Sequence, residues 1–250
     1  MQTSFSLTVR GKTLRGIAHL PEKENCPCLV LCHGLTGCAH ERPLMAIAKE
    51  LEKNGVVCLR HDCIGSGESD GLPEEATTST EAEDTAAVME YARTLPQVDP
   101  EKILVGGHSL GALAAVMAAE KANAAGLVLL SPAFSCYHEL IQLLTGPQLQ
   151  DFLQNGWIDL GGFRVSKAMV DELSDLDGYR IACGLNVPAL LIHGELDGDS
   201  PVYHSIRLKD KLGSRVELQL IPGVHHCYET AAAQALVAQK VRNFLLREFK

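Results

Sequence analysis

The stretch GGHSLGA, residues 106 to 112, follows the apolar run Ile103 to Val105 and opens an alanine-rich segment. A strand that turns at once into a helix holds a serine at this position in strained backbone angles, where flanking side chains would collide. Glycine at 107 and 111 removes the collision. The turn lifts the Ser109 hydroxyl clear of the carboxyl edge of a sheet, and a helix starting near Leu110 aims its amide dipoles at charge developing there. Ser109 is thereby placed to act as a nucleophile.

A serine needs a base, and the base needs an orienting acid. The last strand leads into PGVHHCY, so His225 and His226 are the two candidates for the base. The preceding strand leads into LLIHGELDGDSP, which offers Glu195, Asp197 and Asp199 for the acid. The chain order serine, acid, histidine, each on a loop after a strand, matches one known arrangement of this chemistry.

These loops require a sheet whose strands end along one edge. Alternating residues over Phe5 to Val9, a Gly11-Lys12 turn and Thr13 to Leu20 predict an opening hairpin. Cys28 to Cys32, Val56 to Arg60, Ile103 to Val105, Leu127 to Leu130, Ala189 to Ile192 and Val216 to Ile221 are short apolar runs, as expected of strands buried on both faces. Helical stretches over Pro43 to Lys53, Ser79 to Thr94, Leu110 to Ala122, Tyr203 to Leu212 and Thr230 to Phe249 separate most of them. That alternation predicts an α/β fold with a mostly parallel sheet covered on both sides. The interval Ser131 to Pro188 exceeds what a crossover needs and holds half of the chain's aromatic residues. It is expected to form a cap over a core of residues 1–130 and 189–250, with Phe134, Trp157, Phe163 and Arg164 as candidate walls of a substrate pocket.

Composition narrows the function. Lys plus Arg number 22 against 31 Asp plus Glu, a net charge of −9 with no basic stripe, so nucleic acid is not expected as a partner. No apolar run approaches the roughly 18 residues of a membrane span, and the N-terminus lacks a basic segment followed by an apolar one. A soluble, cytoplasmic protein with no membrane partner is expected. Nine cysteines, an odd number, sit mostly in or beside apolar runs and read as buried thiols. Cys26 and Cys28 have no second pair at zinc spacing, so no metal is expected. DCIGSGESDG, residues 62 to 71, lacks the third glycine of a dinucleotide loop and reads as a structural turn, so no cofactor is expected. The sequence leaves monomer and homodimer both open.

Four motifs together resemble the α/β-hydrolase superfamily of serine esterases over nearly the whole chain: HGLTG (33–37), GHSLG (107–111), HGELD (193–197) and GVHHCY (223–228). The resemblance implies Asp197 as the acid and His226 as the base, with Asp199 and His225 as runners-up. It implies the backbone amides of Leu35 and Leu110 as the oxyanion hole, with His33 bracing its loop. LGGF (160–163), the N-terminal hairpin and the length are most similar to the cinnamoyl and feruloyl esterase group, although Arg164 stands where that group tends to have Tyr and Glu139 is only a rough match for an acidic cap residue. The implied activity is hydrolysis of a small-molecule carboxylic ester through an acyl-enzyme, on hydroxycinnamoyl or short to medium acyl esters. The alternatives are a thioesterase or serine aminopeptidase on the same triad, or a receptor that keeps the fold without turnover.

Overall fold

The computed structural model describes residues 1–135, 137–142 and 146–249. The chain opens with β1 (Gln2–Val9) and β2 (Lys12–His19), paired antiparallel in full register. Arg10 and Gly11 both take positive φ, the turn geometry that matches the twist of a two-residue hairpin. Then follow β3 (Cys26–Cys32), α1 (Arg42–Lys53), β4 (Val57–Asp62), α2 (Thr78–Arg93), β5 (Val98–His108), α3 (Leu110–Lys121) and β6 (Gly126–Leu130).

From Leu130 the chain leaves the sheet and returns to it at Ala189. Between lie α4 (Tyr137–Gln142), α5 (Gly146–Asn155), the antiparallel pair β7 (Trp157–Leu160) and β8 (Phe163–Ser166), α6 (Lys167–Asp175) and α7 (Gly178–Gly184). The main sheet is completed by β9 (Ala189–Gly194), α8 (Tyr203–Leu212) and β10 (Val216–Ile221), and α9 (Ala231–Glu248) closes the chain, its N-terminus capped by the Thr230 side chain.

Eight strands lie in the order β1-β2-β4-β3-β5-β6-β9-β10, parallel from β4 through β10 and antiparallel only where β1 and β2 join. The apolar runs are continuous because alternate residues feed two cores. Cys28 and Val30 of β3 face one core with Ile103 and Val105 of β5, whereas Leu29, Leu31 and Leu104 face the other, with α1 and α9. This is the α/β-hydrolase fold, a mostly parallel sheet with helices on both faces.

The turn after β4 braces the site from below. Asp62 accepts from the amides of Ala39 (2.6 Å) and Glu68 (2.9 Å), and a Cβ at Gly67 (φ 54°) would enter the Asp62 carboxylate. The glycines of DCIGSGESDG thus serve the backbone of this loop. Among the described residues, no helix is long and apolar enough to cross a membrane.

Candidate active site

β5 ends at His108 and α3 begins at Leu110, leaving Ser109 alone at the turn with φ 56° and ψ −122°. Both elbow glycines are required sterically: a Cβ on Gly107 would strike the Gly111 carbonyl oxygen, and one on Gly111 the carbonyl oxygen of His33. The second collision shows how closely the elbow packs against the loop after β3. Neither the Leu35 amide nor the Leu110 amide has an acceptor among the described residues, and both residues line the same cleft as Ser109. Two open donors beside a serine are what a developing oxyanion requires.

The acid loop follows β9 and the histidine loop follows β10. His226 Nδ1 donates to Asp197 Oδ2 at 2.8 Å, and both residues are only 9% exposed. The other Asp197 oxygen accepts from the amides of Ser200 (2.8 Å) and Asp199 (3.1 Å). Burial alone would raise the Asp197 carboxyl, but hydrogen bonds from His193 and His226, the His226 charge and the Ser200 amide hold it well below the usual carboxylate range. It stays an anion able to orient His226.

The runners-up fall elsewhere. His225 is exposed and bonds the Leu196 carbonyl (2.9 Å), and Asp199 contributes its backbone amide to Asp197. His33 is buried: Nε2 accepts from the Cys63 amide (3.1 Å), which leaves Nδ1–H to donate to the Gly34 carbonyl (2.8 Å). Both ring nitrogens are spent on backbone, so His33 braces its loop.

The cleft measures about 1030 Å³ and is lined by Gly34 to Gly37, Ser109, Leu110 and His226, with Ala133, Leu140, Leu160 and Leu173 from the 131–188 segment. The four pocket residues expected from the sequence are not among its walls. Phe134 is 1% exposed and packs on Tyr179 at 5.6 Å in the core. On the β7–β8 pair, Trp157 and Arg164 share the outward face, where the guanidinium stacks 4.5 Å above the indole and lies 3.6 Å from Glu74. Phe163, opposite Leu160, packs against the core without reaching the cleft. The Glu139 side chain lies outside the described residues.

Sequence reasoning also missed the buried group of Cys32, His61 and Cys63, whose possible ligand atoms all lie within 4.8 Å of one another. The Thr85 hydroxyl donates to the Glu81 carbonyl (2.8 Å) and so accepts from His61 Nε2–H (3.2 Å). The nitrogen nearest the thiols therefore carries a proton. Burial holds His61 down to about 3, and the Cys32 contact and burial push the Cys63 thiol up, so both stay neutral, while Cys32 Sγ–H donates to the His33 carbonyl (3.6 Å). The group packs behind the oxyanion loop as thiols and a neutral imidazole, and the eight cysteines among the described residues are free.

A nucleophile elbow after β5 and an acid–histidine pair on the loops after β9 and β10 define an α/β-hydrolase. The chain belongs to the hydrolase family described as serine aminopeptidase, S33, whose profile matches residues 23–160. It is similar to Est1E from Butyrivibrio proteoclasticus, solved with ferulic acid bound, at 28% identity over 98% of each chain with a TM-score of 0.86. It is similar to the thiohydrolase aneE of Aspergillus aculeatus, 36% identical over 114 residues, 45% of this chain and 35% of that one. With the quorum-quenching protein AidA of Acinetobacter baumannii it shares 35% identity over 86 residues, 34% of this chain and 28% of that protein. The matched stretches thus span about a third of these two relatives.

Proposed function

We propose that the protein is a serine carboxylesterase that works through an acyl-enzyme. Ser109 Oγ attacks the ester carbonyl carbon while His226 Nε2 takes its proton, and the Leu35 and Leu110 amides receive the oxyanion. Collapse of the tetrahedral intermediate expels the alcohol, which leaves with the proton from His226. Water then attacks the acyl carbon, His226 again takes and returns a proton, and the acid departs with Ser109 restored. Asp197 keeps His226 in the tautomer whose Nε2 faces the serine.

The observation that carries this reading is the strained Ser109 in one cleft with a His226 already oriented by a buried carboxylate. Four apolar walls, Ala133, Leu140, Leu160 and Leu173, suit an aryl or short to medium aliphatic acyl group. The likeness to Est1E with ferulic acid bound supports the hydroxycinnamoyl class among these. The likeness to thiohydrolases favours thioesters as a second substrate class on the same triad.

The test is hydrolysis of 4-nitrophenyl butyrate, methyl ferulate and a butyryl thioester of equal chain length, with fluorophosphonate labelling in parallel. Ser109→Ala is expected to keep the fold and lose both turnover and labelling. Turnover or labelling that survives in Ser109→Ala overturns the assignment, and a thioester preference replaces the ester reading.

A further inference from the structure

Glu41 stands at the N-terminal boundary of α1, where a side chain commonly caps the helix, yet its carboxylate makes no capping bond. Its two oxygens point to the active site instead. Oε1 accepts from the Gly34 amide at 2.8 Å, and Oε2 lies 3.0 Å from His108 Nδ1. The other nitrogen of that ring, Nε2, lies 3.0 Å from the carbonyl oxygen of His226, and the two imidazole centroids are 4.7 Å apart with their planes tilted by 39°. A carbonyl only accepts, so Nε2 carries a proton. The carboxylate also accepts, so Nδ1 carries one too, and His108 is an imidazolium. Burial works against its charge, but the Glu41 charge and hydrogen bond outweigh it and raise His108 above its ordinary value; Glu41 is lowered despite its own burial.

We propose that Glu41 and His108 are positioning residues for the reaction at Ser109. They tie the Gly34 amide next to Leu35, the elbow next to Ser109 and the backbone of His226 into one unit. The inference rests on the reading of Ser109 and His226 given above. A buried ion pair is a poor source of stability, since desolvation offsets most of its attraction. Its geometric effect is larger, because displacing reacting groups by about 1 Å can cost on the order of 100-fold in rate. The loops are packed for such a tie. A Cβ on Gly37 would run into Glu41 Oε1, and one on Gly34 would sit 3.2 Å from Ser109 Cβ and 3.3 Å from His108 Nδ1.

The pair also sets a pH limit. The charged or titratable groups around it are His33 from the loop after β3, Arg42 beside Glu41, Asp197 from the loop after β9, and His226, Cys227 and Tyr228 from the loop after β10. As pH rises through the His108 value, one ring nitrogen loses its proton and either the Glu41 or the His226 tie is released.

Glu41→Leu keeps the bulk and removes the bonds to both the Gly34 amide and His108. Its kcat on 4-nitrophenyl butyrate is expected to fall roughly 10- to 100-fold with KM changed less than about threefold. Glu41→Gln keeps an acceptor for Gly34, and its NH2 can donate to Nδ1 of a neutral His108 whose Nε2–H still serves the His226 carbonyl, so it should lose less kcat than Glu41→Leu while the alkaline limb set by His108 disappears. The double variant Glu41→Leu/His108→Gln should lose no more than the worse single variant, because the two act as a unit. Wild-type kcat in folded Glu41→Leu overturns the proposal, as do an unchanged alkaline limb in Glu41→Gln and multiplicative losses in the double variant. If Glu41→Leu fails to fold, His108→Gln is judged by the same kcat reading and Glu41→Gln by the pH profile. Absence of labelling at Ser109 in the wild type would sink the site reading itself, whereas wild-type labelling with an indifferent Glu41→Leu sinks only the tie.

Discussion

Replacing Asp197 by Asn removes one charge from a carboxylate that serves four donors. On one side stand His226 Nδ1 (2.8 Å) and His193 Nε2 (3.2 Å), on the other the amides of Ser200 (2.8 Å) and Asp199 (3.1 Å). The amide group of Asn offers one acceptor side and one donor side. If its NH2 faces the Ser200 and Asp199 amides, two backbone donors that cannot change their protonation are left opposing it, at about 1–3 kcal/mol each. If it faces His226 and His193, His226 can adapt by moving its proton to Nε2, and His193 Nε2–H keeps its shorter bond to the Ser200 carbonyl (2.7 Å). The second arrangement wins, and it leaves His226 unable to accept the Ser109 proton. The expected loss in kcat is on the order of 10³- to 10⁴-fold, roughly 4–5.5 kcal/mol of transition-state stabilisation. Steady-state hydrolysis of 4-nitrophenyl butyrate, the rate of fluorophosphonate labelling and a thermal melt measure it. The carboxyl is held well below its unfolded value, so its contribution to stability is present above the ordinary Asp range and is lost only as pH falls through the lower folded value. Asp197→Asn should therefore flatten the acid side of the stability profile as well. A folded Asp197→Asn within about tenfold of wild-type kcat would refute the tautomer reasoning.

Three further outcomes follow from side chains the site depends on or does not. Glu81 is pushed up to about 8 by burial, with the Asp84 and Glu172 charges adding, and its Oε2 has no partner among the described residues. The unfolded carboxyl releases its proton first, so stability falls as pH rises from the ordinary Glu range toward 8. Glu81→Gln should remove that slope and raise the melting temperature at about pH 8.5, with a gain on the order of a few kcal/mol; a melt series with the wild-type slope speaks against it. Leu173→Ala widens the apolar wall and should shift the preferred acyl chain by a few methylenes, each worth up to about 0.8 kcal/mol in kcat/KM; an unchanged chain-length profile places selectivity elsewhere. Arg164→Ala, off the cleft and on an exposed pair, should leave kcat/KM unchanged and cost under about 1 kcal/mol in a denaturant titration; a large loss of activity would return Arg164 to the pocket.

The elbow and the acid and histidine loops were legible because each obeys a local constraint. A strand that ends in a residue at φ 56° needs glycine two positions either side, and that fits within five letters. The continuous apolar strands were legible for a similar reason, since burial on both faces leaves no alternation to read. The cleft walls were not legible. Aromatic enrichment in 131–188 pointed to Phe134, Trp157, Phe163 and Arg164, but hydrophobic content does not say which face of an element meets the site. In β7 and β8 a single-residue step decides it: Leu160 reaches the cleft while Trp157 and Arg164 face outward. Glu41 was invisible because six residues of irregular loop lie between it and the Gly34 amide it holds, and no motif fixes that spacing.

The two His-Gly pairs show where motif and physics meet. His33 and His193 each end or follow a strand on the carboxyl edge, and each spends both ring nitrogens inside the protein. His193 takes a hydrogen bond from the Ser205 hydroxyl at Nδ1 (2.8 Å) and donates from Nε2 to the Ser200 carbonyl (2.7 Å), with Asp197 at 3.2 Å. His33 joins the Cys63 amide to the Gly34 carbonyl. In both loops a compact aromatic donor–acceptor satisfies backbone that the ended strand leaves unpaired, and the glycine beside it admits a close neighbour: Ser109 Cβ and His108 at Gly34, the Val224 carbonyl at Gly194. The pattern thus marks loops that must be rigid and closely packed, not proton carriers. His33, His193 and His108 tie loops together through both ring nitrogens, His225 is turned out to solvent, and His226 lines the cleft with Nδ1 held by Asp197 and Nε2 left without a partner among the described residues.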